Sequence, residues 1–354
     1  MNKKINPFAA GCIIVSSLYI IFAVRPLSKE LHFSSQWTVS TLRPSDKTEQ
    51  TDSSPLIPFR FGQNAGYFTS DGEIFSSFTF PYKAAISNDF YSFYGTSGSA
   101  IQIFSSTGEN AGIITQPGFP FFTDNGNFLM LPGGQSFAVL SHSGNELWRY
   151  ENYAPITAFS TSEKGIITGY ADGTVKIFDK NGSVLQEYTP GGSDYSVILG
   201  AGLSNSLKYS ACISGQDRQR FVLAKNNENH TSIIFHEYLK EQTNRQLLVK
   251  FNNDETKCFY TFQNNLGIAD IEKLKTRHFP INGRILSIED SPETGCLFVL
   301  SKQDEKYYVS IIENYKVFHG NFSFKGDYAF IKVKGDELFT GKDNTITKIK
   351  ITRK

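Results

Sequence analysis

The chain has 354 residues, with 35 Lys plus Arg against 34 Asp plus Glu, so its formal charge of +1 supplies no general field to gather nucleic acid. Its 31 Phe and 17 Tyr, set beside 29 Gly and only 2 Met, favour many short strands joined by tight turns over a helical core. A chain of this length can bury one all-β domain of about 300 residues.

In chain order, residues 1–7 form a basic amino terminus that is expected on the cytoplasmic side of a membrane. Residues 8–24, FAAGCIIVSSLYIIFAV, carry no charge until Arg25. Their length and flanks fit a transmembrane signal-anchor, with a cleaved signal peptide as the alternative, and put the remaining chain outside the cytoplasm. Ala9-Ala10-Gly11-Cys12 has the shape of a lipoprotein cleavage box, but the apolar stretch follows the cysteine instead of preceding it. Residues 25–56 read as a linker, because RPSDKTEQTDSSPLIP from Arg43 to Pro58 is polar and bounded by prolines. The rest, 57–354, is expected to be one β-propeller.

A repeat carries that expectation. GQNAGYFTSDGEIFSSF begins at Gly62, and gapless counterparts begin at Gly98, Gly134 and Asp172, a spacing of 36 to 38 residues. Each has an alternating strand, a polar turn closing on Gly72, Gly108, Gly144 or Gly182, and a second strand. Glycine permits the positive φ of such a turn, and the alternation buries one strand face. Segments 220–239, 266–279, 307–320 and 344–354 continue the pattern with longer or altered turns, while 156–170 and 328–342 read as the strand pair that precedes it. Eight such segments predict seven or eight four-stranded blades. The last one leaves no room for its outer strand, so Trp37–Leu42 or Ile57–Phe61 is expected to close the ring.

LSHSGNELWRY (140–150), FDKNGSVLQEY (178–188) and ADGTVKIFD (171–179) make the chain resemble the PQQ-like and WD40-like propeller families. That resemblance implies a binding scaffold, by analogy with propellers that act in envelope or outer-membrane assembly, and hence protein partners in a cell envelope. Quinoprotein dehydrogenases of similar shape use adjacent cysteines, whereas Cys12, Cys212, Cys258 and Cys296 stand apart; the last three sit in apolar strand-like runs that suit small buried side chains. His142, His230, His236, His278 and His319 are scattered over different repeats without metal-ligand spacing. No catalytic, cofactor-binding or metal-binding residue is therefore assigned. A propeller enzyme or ligand sensor with its site in the central funnel is the alternative. The candidate partner-binding residues are the dense aromatics Phe90, Tyr91, Phe93, Tyr94, Phe119, Phe121 and Phe122, read as an exposed rim, with wedging between blades as the competing role.

Overall fold

A computed structural model of the protein describes residues 7–23, 30–42, 55–95, 100–228 and 230–353. The basic terminus 1–6 and most of the stretch 43–58 lie outside them. The described strands form eight antiparallel sheets, seven with four strands and one with three, arranged as an eight-bladed β-propeller. Large side chains wedge between neighbouring blades and make the core: Phe221 and Leu223 of blade 5, for example, pack with Cys258 and Tyr260 of blade 6. Cys212, Cys258 and Cys296 are free thiols inside such wedges.

The inner strands all run in one direction. Leu247 N–H bonds to Leu199 C=O between blades 5 and 6, and Val333 N–H reaches Glu289 between blades 7 and 8. The ring therefore has a leading face, where inner strands begin, and a trailing face, where they end. Third-to-fourth strand turns lie on the trailing face. Gly72, Gly108, Gly144 and Gly182 close four of them with φ of 94, 94, 86 and 92°, as the repeat predicts.

Blade 8 takes its first three strands from Ala329–Lys334, Glu337–Lys342 and Thr345–Arg353, and its outer strand from Leu31–Ser40. Leu31 pairs with Arg353 and Ser40 with Thr345, so the amino-terminal strand closes the ring from the trailing to the leading face. Closure thus comes from the first of the two expected segments, extended toward the amino terminus. Ile57–Phe61 instead opens blade 1, pairing with Asn64–Phe68, which pairs with Ile74–Thr79. By register with the repeat these are the second, third and fourth strands of that blade.

This arrangement corrects the linker expected over 25–56. Residues 31–40 are a strand of the ring, and the polar segment after Arg43 connects two blades rather than holding the ring off a membrane. Only residues 24–30 separate the helix Pro7–Ala23 from Leu31, a reach of no more than about 28 Å. The segment 344–354, read as a hairpin, is likewise one strand whose partner comes from the other end of the chain.

The two tryptophans do equivalent work. Trp37 Nε1 donates to Ser70 C=O at 3.3 Å, and Trp148 Nε1 to Lys180 C=O at 2.9 Å. Each lies on an outer strand and caps the glycine turn of the next blade, Gly72 or Gly182. Two tryptophan contacts thus lock blade 8 to blade 1 and blade 3 to blade 4.

Candidate functional site

Wedging between blades, not an exposed rim, is the role of most of the aromatics singled out in the sequence. Tyr91 is buried, stacked 4.9 Å from Phe78 and 5.2 Å from Phe104, and Phe122 is buried among Ile103, Leu129 and Leu140. Phe90 is half-buried against the His142 ring, Phe93 is stacked on Phe80, and Phe121 is stacked on Phe128. Tyr94 is half-buried beside the blade 2 core. Eight flat sheets radiating from one axis leave gaps that widen outward, and rings fill them. Phe119 alone of the seven is exposed, with Lys83 Nζ 5.2 Å above its ring.

Phe119 belongs to a different set. At or just ahead of the inner-strand start stand Tyr82 in blade 2, Phe119 in blade 3, Tyr153 in blade 4, Tyr195 in blade 5 and Tyr328 in blade 8; their exposures are 65, 42, 100, 68 and 51%. Leu248 and Leu286 continue the set in blades 6 and 7. The direction shared by the inner strands brings all seven to the leading face, around the mouth of the central channel. Single exposed apolar side chains are ordinary, but seven of them gathered near the inner-strand starts of seven blades make a surface suited to burial. The signal was present in the sequence as PYK, NYAP, DYS and DYA, legible once the inner strands are in register.

Inside this mouth the inner strands of blades 4 to 7 line a cavity of about 510 Å3. Its polar groups include Gln246, Lys250, Arg284 and Ser287, and no carboxylate, histidine or cysteine lines it. Arg284 pairs through its backbone with Lys302, but its exposed side chain has no hydrogen bond or ion pair to a described residue, and Ser287 Oγ is buried without a partner. At the trailing mouth a second cavity, of about 640 Å3, mixes Asp89 and Asp124 with Lys332 and Lys334; Lys332 and Asp124 approach to 3.9 Å.

One cluster has the residue types of acid–base chemistry. Glu237 accepts hydrogen bonds from Thr276 Oγ1 at 2.6 Å, from His278 Nε2 at 2.8 Å, and from the Tyr260 hydroxyl. Burial pushes the Glu237 carboxyl up, but these bonds outweigh it and hold it below its ordinary value; burial and Glu237 push the Tyr260 phenol up. The cluster joins blade 5 to blade 6 near the rim, away from both mouths, and works as a tie between blades. Because the folded pKa of Glu237 is depressed, its contribution is present above the ordinary carboxylate range and is lost as pH falls through the folded value. The other histidines stay apart, and no group of three metal-ligating side chains occurs among the described residues.

Asp290 behaves oppositely. Burial pushes its carboxyl up to about 6, against the pull of the Tyr315 hydroxyl, 2.9 Å away, and of Lys250. Its favourable contribution is therefore complete below the unfolded value and lost as pH rises through about 6. Asp290→Asn is expected to stabilise the protein by about 1 to 2 kcal/mol at pH 8 and to do nothing at pH 3.5, after discounting for partial exposure. Melting curves of the two proteins at both pH values check this; equal curves at pH 8 refute it.

The fold and the motif spacing now have a family. A family model described as a β-propeller protein matches residues 1–354, so the chain belongs to that β-propeller family. It is similar to an uncharacterized protein of Treponema pallidum (strain Nichols), 29% identical over 289 residues that cover 82% of this chain and 75% of that one. Among solved structures, BamB from Moraxella catarrhalis superposes with a TM-score of 0.60 at 10% identity, covering 90% of this chain and all of that one. That likeness is one of fold.

Proposed function

We propose that the protein is a membrane-tethered, outward-facing scaffold of a cell envelope, which binds another protein across its leading face, in the manner of an envelope-assembly factor. The observation that carries the binding role is the ring of exposed aromatics around the leading mouth, since Tyr and Phe are residues that anchor protein interfaces. The tether rests on the apolar helix Pro7–Ala23. Ile13, Ile14, Val15, Leu18, Tyr19 and Ile20 are exposed on it, covering its whole circumference, and a helix apolar all round suits lipid better than water. No helix among the described residues is long and apolar enough to cross a membrane by the usual length rule; the segment is read as a retained anchor, with a cleaved signal as the alternative.

Strand topology supports one orientation of the tethered ring. The helix joins the ring at Leu31, on the trailing face, which leaves the leading face turned away from the membrane and open to a partner. A photo-cross-linking amino acid at Tyr153 in intact cells is expected to yield one stoichiometric protein adduct, and the same probe at Val317 on the outer rim none. Labelling at neither position, or equally at both, overturns the docking face. Protease added to spheroplasts is expected to digest the propeller; full protection refutes the outward orientation.

A further inference from the structure

We infer that the leading mouth receives an extended, acidic segment of its protein partner, with a carboxylate side chain entering the cavity between blades 4 and 7 and apolar neighbours lying on the aromatic ring. This rests on the scaffold reading and names the chemistry of its partner. Three observations converge on it. The cavity of about 510 Å3 has room for one or two side chains and not for a folded element, so the occupant is a chain segment. Its ionisable lining is cationic only, Lys250 and Arg284, and Arg284 is unpaired. A planar guanidinium with free donors matches a carboxylate in two-point geometry. Ser287 Oγ, buried beside them without a partner, offers a further donor to an anion and costs free energy while it has none.

The positive sign belongs to the cavity and not to the whole face. Asp194 and Asp327 stand next to Tyr195 and Tyr328 on the same rim, and the chain as a whole carries +1. A long polyanion tracking its backbone over the surface would meet these carboxylates, whereas a single acidic side chain inserted into the cavity meets Lys250 and Arg284 as the charges of its lining. Tyr153 and Tyr195 rim the blades whose inner strands wall the cavity, so flanking apolar residues of the segment reach them.

The test uses the full chain in detergent micelles and three labelled ten-residue peptides alternating Leu with Glu, Gln or Lys, followed by fluorescence anisotropy, with oligo(dT) of twelve nucleotides as a second polyanion. The Glu peptide is expected to bind about tenfold tighter than the Gln peptide in 0.1 M salt. Arg284→Gln is expected to abolish that preference while leaving Gln-peptide binding and the melting temperature unchanged. Tyr153→Ala is expected to weaken both peptides by a similar factor. Equal affinity for Glu and Gln peptides, no binding by any peptide, a preference that survives Arg284→Gln together with Lys250→Gln, or equally tight Arg284-dependent binding of oligo(dT) overturns the inference. If the Tyr153 cross-link to a protein still forms, the scaffold reading survives that failure; if it does not, both fall.

Discussion

A protein lacking residues 1–41 is expected not to fold, whereas one lacking only residues 1–29 keeps a complete ring. The difference is the strand Leu31–Ser40. Its removal strips Thr345–Arg353 of an antiparallel partner over nearly its whole length and turns an inside strand into an exposed edge. It also removes Phe33 from its edge-on contact with Phe298 at 6.4 Å, and Trp37 from Phe339 at 6.0 Å and Phe68 at 6.4 Å. Each such half-buried ring contributes about 1 to 2 kcal/mol by burial, and Leu31 and Val39 packed on the same core, the Trp37 hydrogen bond and the Thr41 N–H bond to Asn344 C=O add to this. The sum is comparable to the whole stability of an ordinary domain. Trp37→Ala alone is expected to cost about 3 kcal/mol, because it opens only the junction of blades 8 and 1. Circular dichroism melts and limited proteolysis of the truncations distinguish these cases. A protein of residues 42–354 that melts cooperatively at the same temperature as residues 30–354 would show that the ring closes without its amino-terminal strand.

That closure could be read only in outline from the sequence, for a physical reason. The third and fourth strands of blades 1 to 4 share a local signal, a glycine-closed turn at fixed register, so each of these four segments aligns with the others without an internal gap at a spacing of 36 to 38 residues. The partner of Thr345–Arg353 lies some 300 residues away and has no turn to mark it. What is local is the third strand, Thr345–Arg353, whose blade needs a fourth but whose own residues do not set the limits of that partner. The inner strands are hidden for a related reason. They differ widely, from Lys83–Ile86 to Arg284–Ser291, and the loops leading into them vary in length, so no repeat aligns them. The aromatic ring at the leading mouth depends on that alignment and was invisible without it. Dense aromatic stretches such as NDFYSFYG are conspicuous because their residues pack two sides of a blade, which is why abundance pointed to the core and not to the surface.

The second large effect is expected at Gly182, and it depends on Trp148. Gly182 has φ of +92°, and a Cβ there would come within 2.7 Å of the Trp148 ring. An alanine at this position suffers twice. The left-handed backbone costs about 1 kcal/mol for a residue with a Cβ. The clash then forces the indole away from its bond to Lys180 C=O and from Phe137 at 5.5 Å and Phe178 at 6.1 Å, which costs a further 2 kcal/mol or so. Gly182→Ala is thus expected to destabilise by about 3 kcal/mol in the natural protein. In a Trp148→Ala background the clash is gone, and the same change costs only the backbone share, about 1 kcal/mol. A double-mutant cycle by chemical denaturation reads the coupling directly. A penalty for Gly182→Ala that is identical in both backgrounds would mean that the turn glycine serves its backbone alone and that the tryptophan cap does not constrain it. Gly72 and Trp37 have the same geometry, with φ of +94° and an approach of 2.9 Å. There, because the junction also closes the ring, the same cycle is expected to show the larger coupling of the two.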